Sequence, residues 1–274
     1  MANYTTADIK ALREKTGAGM MDVKKALDEA EGDQVKAEEI LRVKGQKGVA
    51  KREGRNASNG LVAIDVQGGV GVLVEVNCET DFVAKGAKFQ EVAATVLAQA
   101  VAVAAPDAET LLASEIDGKS VKTLLDEANA AIGEKIEVRR VARVEGASVA
   151  SYLHRTSPDL PPQVGVLLAT DGDAEVARDV AMHIAAMQPS FVNREDVPAE
   201  LVENERRLAD ETARNEGKPE AALPRIVEGR LQGFFKESVL VEQPFAKDTK
   251  KTVGAVLSES GVKPLAFVRY RVGA

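Results

Sequence analysis

Val70-Gly71-Val72-Leu73-Val74-Glu75-Val76-Asn77-Cys78-Glu79-Thr80-Asp81-Phe82-Val83 is the stretch on which the fold turns. Val70, Val72, Val74 and Val76 alternate at the period of two that sets one side of a strand against a core. Thr80 then supplies a helix N-cap, and Asp81 in the first turn suits the positive end of the helix dipole. Phe82 falls where a helix N-terminus pushes it out of the sheet, among polar neighbours, in a chain with only 4% aromatic residues. Two readings are open. Phe82 and Val83 fold back and plug the end of the core, where most phenylalanines go. Or they form a protruding hydrophobic tip that enters a pocket on another protein.

Upstream, Leu61 to Gln67 also alternates, with Val62, Ile64 and Val66 on one face, and Gly68-Gly69 makes the hairpin turn. Downstream, a long alanine-rich helix is predicted from Lys85 to Val103 and a shorter one from Val121 to Ala131. Ile132-Gly133 breaks that helix, and Ile136 to Val144 is a third strand. The order strand, strand, helix, helix, strand then returns. Val149 to His154 and Val164 to Thr170 are strands, joined by the loop Ser157-Pro158-Asp159-Leu160-Pro161-Pro162. Ala174 to Met187 is an amphipathic helix, Thr252 to Ser258 a shorter one, and Pro264 to Val272 the closing strand. Two related α+β halves account for this order, although sequence identity between them is too weak to prove a repeat. Within the second half, Pro198 to Glu216 places Leu201, Val202, Leu208 and Ala209 on one helical face, and Leu223, Val227, Leu231 and Phe234 recur on the way back. That pattern is an inserted antiparallel helical hairpin.

The first fifty residues read as three short helices. Thr5 or Thr6 caps the first, Gly17 takes its left-handed cap position, and Gly32-Asp33 separates the second from the third. Of Met20 and Met21, either both fill the core or one of them is exposed as a soft contact surface for a partner. Arg42, Lys44, Lys47, Lys51, Arg52 and Arg55 follow, opposed only by Glu53, and read as a solvated basic linker or as steering toward an acidic partner. The expected fold class is α+β, divided as 1–55, 56–146 and 147–274, with the hairpin at 197–236.

With 274 residues, 45% hydrophobic and 29% charged, the composition is that of an ordinary globular chain. A net charge of −7 argues against direct nucleic-acid binding as the main task. No stretch approaches the ~20 apolar residues of a membrane span, and the polar start Met1-Ala2-Asn3-Tyr4 gives no export signal, so a cytoplasmic location is expected. Cys78 is the only cysteine, which excludes an internal disulfide and a thiolate zinc cluster. Gly118-Lys119-Ser120 resembles the end of a phosphate loop, but Ala113 stands where the first glycine belongs. Cys78 could pair with His154 or His183 only as a nucleophile set spread over different elements. No covalent or acid–base catalysis, cofactor or resident metal is expected.

Residues Leu12-Arg13-Glu14-Lys15-Thr16-Gly17-Ala18-Gly19-Met20-Met21-Asp22-Val23-Lys24-Lys25-Ala26-Leu27 closely resemble the N-terminal signature of the translation elongation factor Ts family. Glu75 to Ala84 resembles that family's second signature, and further matches run from Ile132-Gly133-Glu134 to Gln243-Pro244-Phe245. The resemblance implies a guanine-nucleotide exchange factor for the GTPase EF-Tu. It also implies a ubiquitin-associated-like (UBA-like) three-helix N-terminal domain and a two-part α+β core of antiparallel sheets. By it, Thr80, Asp81, Phe82 and Val83 form the intruding tip, acting on the partner's Mg²⁺ site. Arg13, Met20 and Met21 contact the nucleotide-binding domain. Ile132, Gly133 and His154 touch the partner, His154 away from the nucleotide. Some relatives carry a further helix after the last core strand, where this chain stops at Val272-Gly273-Ala274. Two readings compete with exchange: an interaction module without exchange activity, and a thiol enzyme using Cys78. The hairpin is left as a surface for a second copy of the chain or another protein.

Overall fold

A computed structural model of the chain describes residues 3–16 and 18–274. Met1, Ala2, Gly17 and the side chain of Gln46 lie outside the described residues, and with them the first two residues of the expected polar start and the glycine cap of the first helix. Helices α1 (Thr6–Thr16), α2 (Met20–Glu29) and α3 (Gln34–Arg52) form the bundle around Leu12, Val23, Ala26, Leu27, Ala37 and Leu41. Thr5 caps α1 reciprocally: its N–H donates to the Asp8 carboxylate at 2.7 Å, and the Asp8 N–H donates to Thr5 Oγ1 at 3.3 Å. Asp33 accepts from the N–H groups of Val35 and Lys36 to start α3, after Gly32 makes the turn at φ +89°.

The first half of the core comprises β1 (Asn59–Gln67), β2 (Val70–Cys78), α4 (Asp81–Lys85), α5 (Ala87–Ala102), α6 (Ala108–Ala113), β3 (Glu115–Ile116), β4 (Lys119–Ser120), α7 (Val121–Ile132) and β5 (Glu137–Glu145). Its main sheet is antiparallel in the order β1-β2-β5, and the Gln67–Val70 pairing leaves Gly68-Gly69 as a two-residue turn. The helix predicted from Lys85 to Val103 is α5, two residues shorter at its start and one at its end, and the turn that Thr80 caps is the separate helix α4. Gly86 adopts an extended conformation (φ −71°, ψ 136°), ending α4 and beginning α5. Glycine has the backbone freedom and low helix propensity for such a break. The short α6 and the β3–β4 ribbon lie in the segment between the two helices foreseen there, too brief to show a period.

The basic run expected as a linker is helical as far as Arg52. Gly45 within it faces a neighbour: a Cβ there would lie 3.0 Å from the Ala130 Cβ of α7. Close approach to α7 offsets the poor helix propensity of glycine.

The second half comprises β6 (Ser148–His154), β7 (Val164–Thr170), α8 (Val176–Met187), α9 (Ala199–Asn215), α10 (Leu223–Ser238), β8 (Pro244–Phe245), β9 (Asp248–Thr252), α11 (Val253–Glu259) and β10 (Pro264–Arg271). Its sheet is antiparallel in the order β10-β7-β6. Helices α9 and α10 pack as the foreseen hairpin on Ala209, Val227, Leu231 and Phe235. Leu208, expected on the buried face, is 40% exposed, and Ala213 is buried in its place. Phe235 rather than Phe234 completes the fully buried stripe of α10.

The two sheets meet face to face through Val62, Leu73 and Val144 from the first and Val149, Leu167 and Ala169 from the second. The repeat that sequence order suggested is present in packing. β2 begins Val70-Gly71-Val72-Leu73 and β7 begins Val164-Gly165-Val166-Leu167, both at the centre of a sheet. The contacts are reciprocal. A Cβ on Gly71 would stand 3.0 Å from Leu167 Cδ2, and one on Gly165 would stand 2.8 Å from Leu73 Cδ1. Each glycine admits the leucine of the other repeat. Beside this joint, buried Glu75 pairs with Arg140 at 2.5 Å across β2–β5, and the Arg140 guanidinium lies 4.3 Å from the Tyr270 ring centre.

Candidate functional site

Strand β2 delivers the chain into a turn fastened at both ends. Thr80 Oγ1 accepts the N–H of Val83 at 3.3 Å, as an N-cap does. The Thr80 hydroxyl and N–H both donate to the Glu134 carboxylate, at 2.7 and 3.0 Å. Glu79 behind it accepts the Lys135 N–H at 2.7 Å, and its carbonyl accepts from Asn59 at 2.8 Å. These bonds tie the turn to β1 and to the segment leading into β5. Val83 is half-buried on the first core and Ala84 is fully buried. Phe82 is 82% exposed, which excludes the core-plug reading for it. Asp81 is exposed beside it. Lys85 donates to its carboxylate at 2.9 Å and holds that carboxyl below the usual carboxylate range.

Ile132 and Gly133 come to the same surface because Glu134 ties their turn to Thr80. Gly133 caps α7 at φ +87°, a left-handed position that glycine takes without strain, and Ile132 packs on the core beneath. Glu134 and Glu79 are the residues that sequence reasoning missed as site builders. Their signal is not local, since Glu134 lies 54 residues from Thr80. An apolar groove of about 370 Å³ runs beside this surface between α5 and α7, past Val92, Leu124, Ala128 and Ile132.

Met20 and Met21 are both exposed, at 59% and 62%, so neither fills the core. They open α2, and helical side chains lean toward the N-terminus, here past the end of the bundle; Val23, Ala26 and Leu27 take the core positions instead. Arg13 is exposed on α1 of the same bundle. His154 is exposed at the end of β6, its Nδ1 3.2 Å from the Tyr152 hydroxyl. Among the described residues no hydrogen bond joins Arg13, Met20, Met21 or His154 to the tip.

Cys78 is fully buried and its Sγ–H donates to the Thr80 carbonyl at 3.2 Å. Burial pushes its thiol up to about 12, so at neutral pH it has almost no thiolate. His183 is also buried, on α8 of the other half, and is engaged by Gln243 and the Ala246 N–H. Neither histidine is placed to activate Cys78. Among the described residues, no group of three or more His, Cys, Asp or Glu could hold a metal ion, and no helix is long and apolar enough to cross a membrane.

The family description Elongation factor TS matches residues 79–274. Over their full lengths and that of this chain, proteins named Elongation factor Ts from Arthrobacter sp. (strain FB24) and Paenarthrobacter aurescens (strain TC1) are each 64% identical to it. The protein of the same name from Kineococcus radiotolerans is 63% identical, again over the whole of both chains.

Proposed function

Because the chain belongs to the elongation factor Ts family, we propose that it is a guanine-nucleotide exchange factor for the translation GTPase EF-Tu, with Phe82 as the working tip. The observation that carries this reading is an aromatic ring 82% exposed on a turn held by Thr80 and Glu134. A large hydrophobic side chain on a fixed support loses little entropy on binding and gains its full burial, about 2 kcal/mol or more. EF-Tu holds GDP through Mg²⁺ and phosphate-cradling backbone, and Mg²⁺ demands near-octahedral geometry. A wedge that shifts a helix beside that site by about an ångström spoils the coordination. Linkage then requires exchange factor and nucleotide each to weaken the other's binding.

The remaining surfaces have places in this scheme. The exposed Met20 and Met21 with Arg13 suit a second contact on the nucleotide-binding domain, methionine adapting to the surface it meets. Ile132 and Gly133 flank the tip, and His154 is left to a part of EF-Tu away from the nucleotide. All bond making and breaking stays on the partner.

The test is the release of labelled GDP from EF-Tu of the same organism. The native chain is expected to accelerate release strongly, and Phe82→Ala at least tenfold less, each 1.4 kcal/mol being a factor of about ten. Equal acceleration by both proteins retains exchange but removes Phe82 from its mechanism. Binding without acceleration by either favours a plain interaction module.

A further inference from the structure

Two exposed contact surfaces stand on parts of the chain that share one helix. α3 buries Ala37 and Leu41 in the bundle that carries Met20 and Met21, then continues to the core. There Gly45 approaches Ala130, and Arg52 reaches Asn129 of α7 with both arms of its guanidinium: Nε donates to Asn129 Oδ1 at 3.1 Å and Nη2 to the Asn129 carbonyl at 3.1 Å. Gly48 leaves the room, since a Cβ there would lie 3.2 Å from Arg52 Nη1. Gly45, Gly48 and Arg52 recur at spacings of three and four, one face of the helix. Asn129 is a buried polar residue. Its carbonyl also accepts the Gly133 N–H at 3.0 Å, the bond that ends α7 and turns the chain to Glu134, which grips Thr80.

We propose that Arg52 is a positioning residue: its fork on Asn129 fixes the angle between the N-terminal bundle and the core, and so the spacing between the Met20–Met21 surface and the Phe82 tip. The proposal rests on the reading that both surfaces engage EF-Tu. A guanidinium suits this task because its planar fork sets direction as well as distance. Two surfaces held rigidly reach the second contact at high effective concentration, and loosening the angle lowers that concentration without altering either surface. Loss of the fork therefore weakens engagement and leaves the step driven by Phe82 intact.

The experiment uses the full chain. Arg52→Ala is expected to raise the concentration that half-maximally stimulates GDP release by about tenfold, a part of the roughly 100-fold or more that linking two contacts adds to avidity. The maximal rate should stay within about twofold of native, because the tip is unchanged. Arg52→Lys, which keeps the charge but loses the fork, should move the same way by less, and serves if the alanine variant does not fold. Spin labels at Lys25→Cys and Lys122→Cys, both exposed sites in the native chain, should give a narrow distance distribution that broadens with Arg52→Ala. The distance measurement needs no partner. It stands even if the native chain fails to release GDP, which would instead defeat the exchange reading. An unchanged distribution overturns the proposal, and so does a broadened one with an unchanged half-saturating concentration.

Discussion

The ends of β2 and β7 occupy equivalent places in the two halves, and the chain treats them in opposite ways. After β7 the junction closes on itself. The Thr170 hydroxyl donates to the Gly172 carbonyl at 2.8 Å, and the Asp171 carboxylate accepts the Lys263 N–H at 2.6 Å. Counting from the shared Val-Gly-Val-Leu, Phe82 matches Val176, which is half-buried against the second core. The fold can therefore complete this junction without an exposed aromatic. Phe82 is not a structural need of a strand-to-helix turn, and the second half acts as an internal control for that statement.

The same count sets Glu75 against Ala169, which supplies the largest predicted effect. Glu75→Ala makes the first half resemble the second but leaves Arg140 without its carboxylate. Arg140 is one-third exposed, so water screens part of the loss, and about 2–3 kcal/mol of destabilisation is expected in denaturant unfolding. Glu75→Ala with Arg140→Met should recover part of it, because a buried pair replaced by apolar groups is often neutral. If the double variant is no better than the single, the pair is not what connects Glu75 to stability.

Next in size are Gly71→Ala and Gly165→Ala. Each inserts a methyl group into the contact between sheets, within 2.8 Å of Val149 Cγ1 or Leu73 Cδ1. Overpacking of this kind costs about 1–3 kcal/mol. The reciprocal packing predicts similar costs for both, measured by thermal or urea unfolding. A cost above 2 kcal/mol at one glycine and none at the other would show that the halves share topology but not a joint.

How much of this was legible depends on range. Strands β1, β2 and β10 announce themselves by alternation, and Thr5 and Thr80 cap their helices as expected. The residues of the tip were legible through the resemblance. Their exposure was not, because spacing alone favours the core plug, where most phenylalanines go. Glu134 and Arg52 carry no local mark, since their partners lie 54 and 77 residues away. Val-Gly-Val-Leu is four residues long, too short to establish a repeat until Gly71 and Gly165 are seen admitting each other's leucines. The methionine pair was misread because helical spacing does not say where a bundle ends.

The halves should also differ in acid. His183 matches Phe89, both buried on helices beneath their sheets. His183 Nδ1 accepts the Ala246 N–H at 3.1 Å, so the proton sits on Nε2 and donates to Gln243 at 2.8 Å. Burial lowers its pKa from the ordinary 6.5. As pH falls below 6.5 the unfolded chain takes up the proton first, so stability is lost until the folded value is reached, by at most about 1.4 kcal/mol per pH unit. Unfolding at pH 7.5 and 5.5 should show this loss in the native chain and a smaller one in His183→Asn. An identical loss in both assigns the acid sensitivity to other groups.

The smallest effect on stability is predicted at the tip. Phe82→Ala removes a ring that the folded chain leaves in water, so unfolding should change by less than about 0.5 kcal/mol. Its counterpart Val176→Ala removes half-buried methyl groups packed on the second core and should cost about 1 kcal/mol. Nucleotide release should rank the two in reverse, with Val176→Ala close to native and Phe82→Ala strongly impaired. The crossed pattern separates a residue placed for a partner from one placed for the fold, and a chain that merely failed to fold could not produce it. If Phe82→Ala instead destabilises by 2 kcal/mol or more, the ring is buried in solution and the plug reading returns. The two junctions would then differ only in how they close.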